Sequence, residues 1–211
     1  MANLWELLEM RRCFGCSKTG EYFCKRCTST LVTCKRSLQT ELKLTVLANQ
    51  NPALMRAISA WKDNHIKKLT GVFCDLMLEK IDSLKVGTKS CVVTPPIRKE
   101  AYKHRGFNPL VDLAKELCKR NPNLEFAGSI LGLQRAIKDQ RTLNFENRKA
   151  NLHEAFKCLD VPVVPIILLD DVVTSGATLL EMRRALVPFG QPIQAIALAS
   201  SHNLFALKNH R

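Results

Sequence analysis

The sequence predicts a mixed α/β protein with a largely parallel sheet, preceded by a small cysteine-built module. Three observations carry this expectation. From residue 90 onward, short apolar runs (Ser90 to Thr94, Pro162 to Leu169, Ile193 to Leu198) alternate with segments of helical spacing. That alternation is the signature of strands joined by crossover helices. The run from Pro162 to Leu169 is almost wholly apolar, as a strand buried on both faces must be. Near the start, Cys13, Cys16, Cys24 and Cys27 form two Cys-x2-Cys pairs. The 211 residues, 46% of them hydrophobic, suffice for one domain plus a smaller module.

The cysteine pairs come first in the chain. Two Cys-x2-Cys knuckles offer four thiolates that can close a tetrahedral zinc shell. The stretch between them, Ser17 to Phe23, contains Gly20 and polar residues and suits a short hairpin. With no open ligand position, the set reads as a structural zinc ribbon at 1–40; a disulfide pair is the alternative. Cys34 is a possible competing ligand. Cys74, Cys91, Cys118 and Cys158 sit in apolar contexts and read as small core residues.

Residues 35–52 read as a polar connection. From Leu54 to Met77 the apolar positions follow helical spacing, predicting two helices or one interrupted near Gly71, so 41–85 is expected to be a helical connecting segment. The remaining 86–211 is expected to form the α/β domain. Within it, Asn108 and Pro109 suit the N-cap and first position of an amphipathic helix lined by Leu110, Leu113, Ala114, Leu117 and Cys118. Gln134 to Lys157 lacks clear periodicity and reads as a long loop. Thr178-x-x-Glu181 resembles a capping box opening the last helix, which Gly190 stops.

The formal charge is +13, which argues for an anionic partner: nucleic acid, an anionic membrane surface or a phosphorylated ligand. The excess is uneven. Residues 98–157 hold 13 basic against 7 acidic side chains, whereas 158–211 are neutral. No apolar run is long enough to span a membrane, and the first residues lack the layout of a signal peptide, so a cytoplasmic location is expected.

The sharpest signal is Ile166 to Leu169, then Asp170-Asp171, then Thr174-Ser175-Gly176-Ala177-Thr178. A buried strand delivers two carboxylates to the carboxyl edge of a sheet, where α/β proteins place their ligands. Carboxylates accept hydrogen bonds from hydroxyls such as those of a ribose. The turn that follows offers hydroxyls, a glycine and backbone N–H groups at a helix N-terminus, which together can cradle a phosphate. A ribose 5-phosphate would satisfy both halves.

This segment resembles the PRPP-binding motif of type I phosphoribosyltransferases. Other motifs narrow the resemblance to the ComF family of competence-associated, phosphoribosyltransferase-like proteins. The cysteine knuckles are similar to that family's zinc module. Val92-Val93-Thr94-Pro95-Pro96, Arg98 and His104-Arg105-Gly106-Phe107-Asn108 resemble its strand end and its Arg-Gly-Phe-Asn signature. Gln140, Leu143, Arg148, Asn151, Ala155 and Phe156 fall at the family's spacing for the loop before the PRPP motif. Thr94 and Pro96 depart from the usual pattern, as do Pro109, where Gln is common, and Asn147, where an acid usually stands.

The resemblance implies a type I phosphoribosyltransferase-like fold with structural Zn2+, and Mg2+ bound together with PRPP. It assigns Asp170 and Asp171 to the ribose hydroxyls and Thr174, Ser175, Gly176, Ala177 and Thr178 to the 5-phosphate. Arg98, Lys99 and Arg105 would face the pyrophosphate, and the loop with Arg141, Arg148 and Lys149 would close over it. No residue is legible as the base for an acceptor, so phosphoribosyl transfer and PRPP binding without transfer both stay open. A role in natural competence and DNA uptake, with other competence proteins as partners, is also implied. The alternative is a non-enzymatic factor that binds single-stranded DNA through the zinc module and the basic surface, with Lys18, Lys25, Arg26, Lys35 and Arg36 at hand.

Overall fold

The computed structural model describes residues 11–38, 42–49, 51–84, 89–96, 106–128, 130–135, 137 and 150–200. A short helix, α1 (Lys25–Thr28), lies in the cysteine module. It is followed by β1 (Cys34–Leu38) and β2 (Leu42–Asn49), then by helices α2 (Pro52–Asp63) and α3 (Leu69–Ile81). Next come β3 (Ser90–Val93), α4 (Pro109–Arg120), β4 (Leu124–Phe126), β5 (Leu131–Leu133) and β6 (Phe156–Cys158). The described chain ends with β7 (Ile166–Val173), α5 (Ala177–Leu186) and β8 (Ile193–Ser200).

Six strands form one sheet in the order β1-β2-β8-β7-β3-β4. Only the β1–β2 pair is antiparallel; β2–β8, β8–β7, β7–β3 and β3–β4 are parallel. The mostly parallel α/β arrangement expected from the alternating runs is therefore present. β5 and β6 make a separate antiparallel ribbon.

β7 shows why its sequence is apolar throughout. Ile167 and Leu169 pack on one face with Trp61, Phe73, Met77, Leu113 and Leu117 of α2, α3 and α4. Ile166 and Leu168 pack on the other face with Leu179, Met182 and Leu186 of α5 and with Leu131 and Phe156 of the ribbon. A strand sandwiched this way has no water-facing side on which to place a polar residue.

The chain leaves the β3–β7 pair in opposite directions. β3 leads through α4 to β4 at one edge, and β7 leads through α5 to β8 on the other side, with α4 and α5 on opposite faces. The carboxyl ends of β3 and β7 thus flank a topological switch point, the place where open α/β sheets bind ligands.

Two sequence readings are corrected, and a third, left between two helices and one interrupted helix, resolves to two helices. Residues 35–52 are not a polar connection, because β1 and β2 lie there and β2 pairs with β8 along its length. Leu42, Leu44, Val46, Leu47 and Ala48 are all buried. The short polar interruptions Lys43 and Thr45 conceal a strand that is central rather than a linker, and the segment expected to be a helical connection begins with it. The helices α2 and α3 are separated at residues 64–68, and Gly71 lies inside α3. Gln134 to Lys157 is not wholly loop, since Phe156 belongs to β6 and pairs with Leu133.

Helix starts follow one device twice. Asn108 accepts from the N–H groups of Leu110 (3.1 Å) and Val111 (3.3 Å) ahead of Pro109, as the sequence predicts. Asn51 does the same for Ala53 (3.0 Å) and Leu54 (3.1 Å) ahead of Pro52. Each side chain satisfies donors that the first helical turn leaves open. The expected capping box at Thr178 does not form. α5 starts one residue earlier, with Gly176 as its N-cap in the left-handed region (φ 73°). The side chain of Glu181 is used elsewhere: it is buried, accepts from Phe156 N–H (3.0 Å) and pairs with Arg184 (2.8 Å). Arg184 in turn donates to the Phe156 carbonyl (2.6 Å), so this pair clamps the ribbon to α5. The helix also stops before Gly190; Pro188 lies in a 3-10 turn, Val187–Phe189.

Candidate functional site

At the carboxyl end of β7, the chain presents Asp170, Asp171, Thr174, Ser175, Gly176, Ala177 and Thr178 in one strand–turn–helix unit. Gly176 has a positive φ of 73°, a conformation that costs a residue with a Cβ but not glycine. The turn therefore reverses tightly and leads directly into the N-terminus of α5. Ser175 Oγ accepts from Ala177 N–H at 3.3 Å, as a hydroxyl at a helix start does.

The two acids differ in surroundings. Strand alternation sends adjacent side chains to opposite faces. Asp171 lies on the side of α2, where its carboxylate is ion-paired with Lys62. Asp170 is buried, and its carboxyl accepts from the N–H of Asp171 at 2.9 Å. Burial, reinforced by the charge of Asp171, pushes the Asp170 carboxyl up to about 7, although the Asp171 N–H and Lys62 oppose the shift. The result is one cation-paired carboxylate beside one whose proton is held to near neutrality. Both can accept from hydroxyls once ionised.

Of the other residues expected at this site, Arg98, Lys99 and Arg105 lie outside the described residues, as do Arg141, Arg148 and Lys149. The neighbouring Phe107 is described: it is buried, with the Lys67 ammonium 5.1 Å from its ring centroid and the His65 ring at 5.4 Å. Sequence reasoning missed Lys62, His65 and Lys67. Lys62 is 109 positions from Asp171 and has no local signal beyond being a cation in the last turn of a helix.

Cys13, Cys16, Cys24 and Cys27 come together as expected, with their Sγ atoms all within 4.8 Å of one another. Cys13–Cys24 and Cys16–Cys24 are each 3.7 Å apart. A tetrahedral shell with zinc–sulfur bonds of ~2.3 Å requires sulfurs ~3.8 Å apart, so the four thiols can hold a zinc ion. Four sulfur ligands leave no position for water, the pattern of a structural rather than a catalytic metal. The fold of the knuckle supports this use. The N–H groups of Gly15 and Cys24 donate to Cys13 Sγ, each at 3.4 Å. A Cβ on Gly15 would lie 2.5 Å from Cys27 Sγ, so only glycine lets the loop close on its sulfurs.

The thiols also titrate far apart. Burial opposes ionisation of Cys13, but the surrounding backbone N–H groups outweigh it and bring that thiol down to about 6. Desolvation and the neighbouring thiols push Cys27 up to about 12. A bound divalent cation is what would let all four ionise together. Cys34 is not part of the group; its Sγ donates to the Val32 carbonyl at 3.6 Å. Cys74 and Cys91 are buried and Cys118 is partly buried; desolvation raises all three thiols to about 11, as expected of inert core cysteines.

The module docks on the main core. Phe23 is buried among the α2–α4 residues, with Phe14 and Tyr22 packed alongside. Arg56 of α2 donates to the Phe14 carbonyl at 2.7 Å. Among the described residues no helix is long and apolar enough to cross a membrane.

No protein-family model matches the chain. It is similar to the DNA utilization protein YhgH of Escherichia coli K12, with 26% identity over 191 residues, covering 84% of this chain and 83% of that protein. The same protein of Shigella flexneri is also 26% identical, and that of Escherichia coli O157:H7 is 25% identical, over the same coverage.

Proposed function

We propose that the chain is a phosphoribosyltransferase-like protein of the ComF type that holds PRPP, or a related ribose 5-phosphate, and acts in DNA utilization and uptake. The observation that carries the proposal is the strand–turn–helix unit at the switch point of the sheet. It sets two carboxylates beside a glycine turn that opens α5. Asp170 and Asp171 would accept from the ribose hydroxyls. The N–H groups and hydroxyls of Thr174, Ser175, Gly176, Ala177 and Thr178 would hold the 5-phosphate, favoured by the positive end of the helix dipole.

The carboxyl end of β3 borders that of β7; Arg98, Lys99 and Arg105, which come after β3 in the sequence, would face the pyrophosphate of such a ligand. Arg141, Arg148 and Lys149 would complete a closing loop that excludes water. Mg2+ would supply charge neutralisation on the pyrophosphate, as it does on other polyphosphates. For transfer at C1 of the ribose, an oxocarbenium-like charge next to carboxylates and a departing anion next to cations is the favourable arrangement. The DNA half of the reading rests on the likeness to proteins named for DNA utilization and on the cysteine module.

Calorimetry with PRPP and Mg2+ tests the site. The native chain is expected to bind one equivalent. The Asp170→Asn/Asp171→Asn variant should bind at least about tenfold more weakly, the loss of ~1.4 kcal/mol or more expected when charged hydrogen-bond acceptors are removed. Native protein that does not bind, or a variant that binds as tightly, would rule the site out. Measuring pyrophosphate release in the same samples separates turnover from binding.

A further inference from the structure

Lys62 is set apart from the cations that line the cleft of about 860 Å³ between the cysteine module and residues 64–68, namely Arg11, Arg12, Arg56, Lys67 and Lys68. It stands in the last turn of α2 and reaches the carboxylate of Asp171, 109 positions away in the chain. The Lys62 side chain is 21% exposed and that of Asp171 13%, whereas the surface pair Arg120–Asp75 has 36% and 64%. Exposed ion pairs contribute little, but one mostly withdrawn from water is screened far less.

Both ends of this contact are fixed. Trp61, the residue before Lys62, is fully buried, and its ring N–H donates to Thr70 Oγ1 at 2.9 Å. Leu54, Ala57 and Ile58 hold the rest of that face of α2 in the core. On Asp171, Oδ2 meets Lys62 and Oδ1 accepts from the Val172 N–H at 2.6 Å. Each carboxylate oxygen has two acceptor positions, so Asp171 held in this way keeps one on each oxygen for a hydroxyl.

The other charged side chains around the acid pair are turned elsewhere. Glu181 and Arg184 of α5 pair with each other at Phe156, and Asp63 of α2 accepts from Ser59. β8 sets Ala197 and Ala199 beside Asp170 and Val172, and β3 sets Val93 beside Leu168. From α3 and α4, the residues packed on this face of β7 are apolar. Among the described residues, Lys62 is therefore the cation acting on both acids.

We propose that Lys62 is a positioning residue for ribose recognition: its ammonium fixes the Asp171 carboxylate and offsets the charge of the acid pair, so that both acids face the vicinal hydroxyls of a 5-phosphoribosyl ligand. Two adjacent carboxylates repel each other, and a fixed cation lets both carry charge together. Lys62 acts through Asp171 and stays paired with it in the complex, rather than leaving it for the pyrophosphate. The inference rests on the ribose 5-phosphate reading of this site, to which it adds a residue from outside the strand–turn–helix unit.

The test is calorimetry of the zinc-loaded full chain with PRPP and Mg2+, and separately with ribose 5-phosphate, which lacks the pyrophosphate, from about pH 6 to about pH 9. Lys62→Met keeps the length of the side chain and drops the charge. It should bind both ligands about tenfold more weakly at pH 7, the effect of about one unit of pKa. Lys62 opposes the rise of the Asp170 carboxyl, so its loss should move the climb of affinity to higher pH. Lys62→Arg should restore most of the affinity and the native pH profile. In the Asp171→Asn chain, Lys62→Met should cost much less than it does in the native chain, because the carboxylate it acts through is gone. Lys62→Gln carries the same expectations if far-UV dichroism shows Lys62→Met to be unfolded. Native binding of PRPP, with affinity and pH profile unchanged in Lys62→Met, overturns the inference and leaves the site standing. A loss confined to PRPP, with ribose 5-phosphate bound normally, also overturns it, since Lys62 would then serve the pyrophosphate. Equal losses in the native and Asp171→Asn backgrounds contradict action through Asp171. A native chain that binds neither ligand overturns the site reading, and this inference with it.

Discussion

Asp170 carries a stability cost that its neighbour avoids. In the folded chain burial and the adjacent charge hold its proton to about pH 7, whereas an aspartate in an unfolded chain releases it near pH 4. Between these values the native state binds the extra proton, so raising the pH destabilises the fold by up to ~1.4 kcal/mol per unit from this group alone. Asp170→Asn keeps the shape and removes the titration. Its thermal midpoint is therefore expected to gain on the native chain from about pH 4 to about pH 7 and to level off above that in the absence of ligand, and a pH-independent difference would contradict the assignment. The same titration should make ribose binding strengthen as pH rises through 7. The acids were legible because an apolar strand ending in two carboxylates is a local pattern. Lys62 was not, because its partner is brought to it only by the packing of α2 across the sheet.

Among elements, the cysteine module has the plainest dependence on something outside the chain. It buries few large residues of its own, and its knuckles are organised around four sulfurs. Zinc should be found at one equivalent per chain, and Cys16→Ser should lower that toward zero. Far-UV dichroism of the variant should keep the signal of α2–α5, since those helices have their own core. Full zinc content in Cys16→Ser would contradict the four-thiolate site. The knuckles were legible from spacing, and α4 from its Asn-Pro start and its apolar face. β2 was not, because Lys43, Thr45 and Asn49 disguise a strand whose other residues are buried by β8 and the helices. The capping box failed for a related reason: Glu181 has the right spacing, but the buried N–H of Phe156 in the ribbon and Arg184 of α5 itself claim it.

For the molecule as a whole, chain direction matters more than any single residue. The sheet turns outward both ways from the β3–β7 pair, which puts the acid pair and its glycine turn beside the carboxyl end of β3. The cation-lined cleft lies on the α2–α3 side, where the cysteine module docks. Part of the +13 excess gathers at that cleft, which composition alone could not show. The measurement that bears most directly on the central claim is a structure determined with PRPP and Mg2+. The account predicts ribose hydroxyls within hydrogen-bond reach of the Asp170 and Asp171 carboxylates and the 5-phosphate in the turn from Thr174 to Thr178. PRPP lodged instead among Arg11, Arg12 and Lys67, with no hydroxyl at the acid pair, would contradict it.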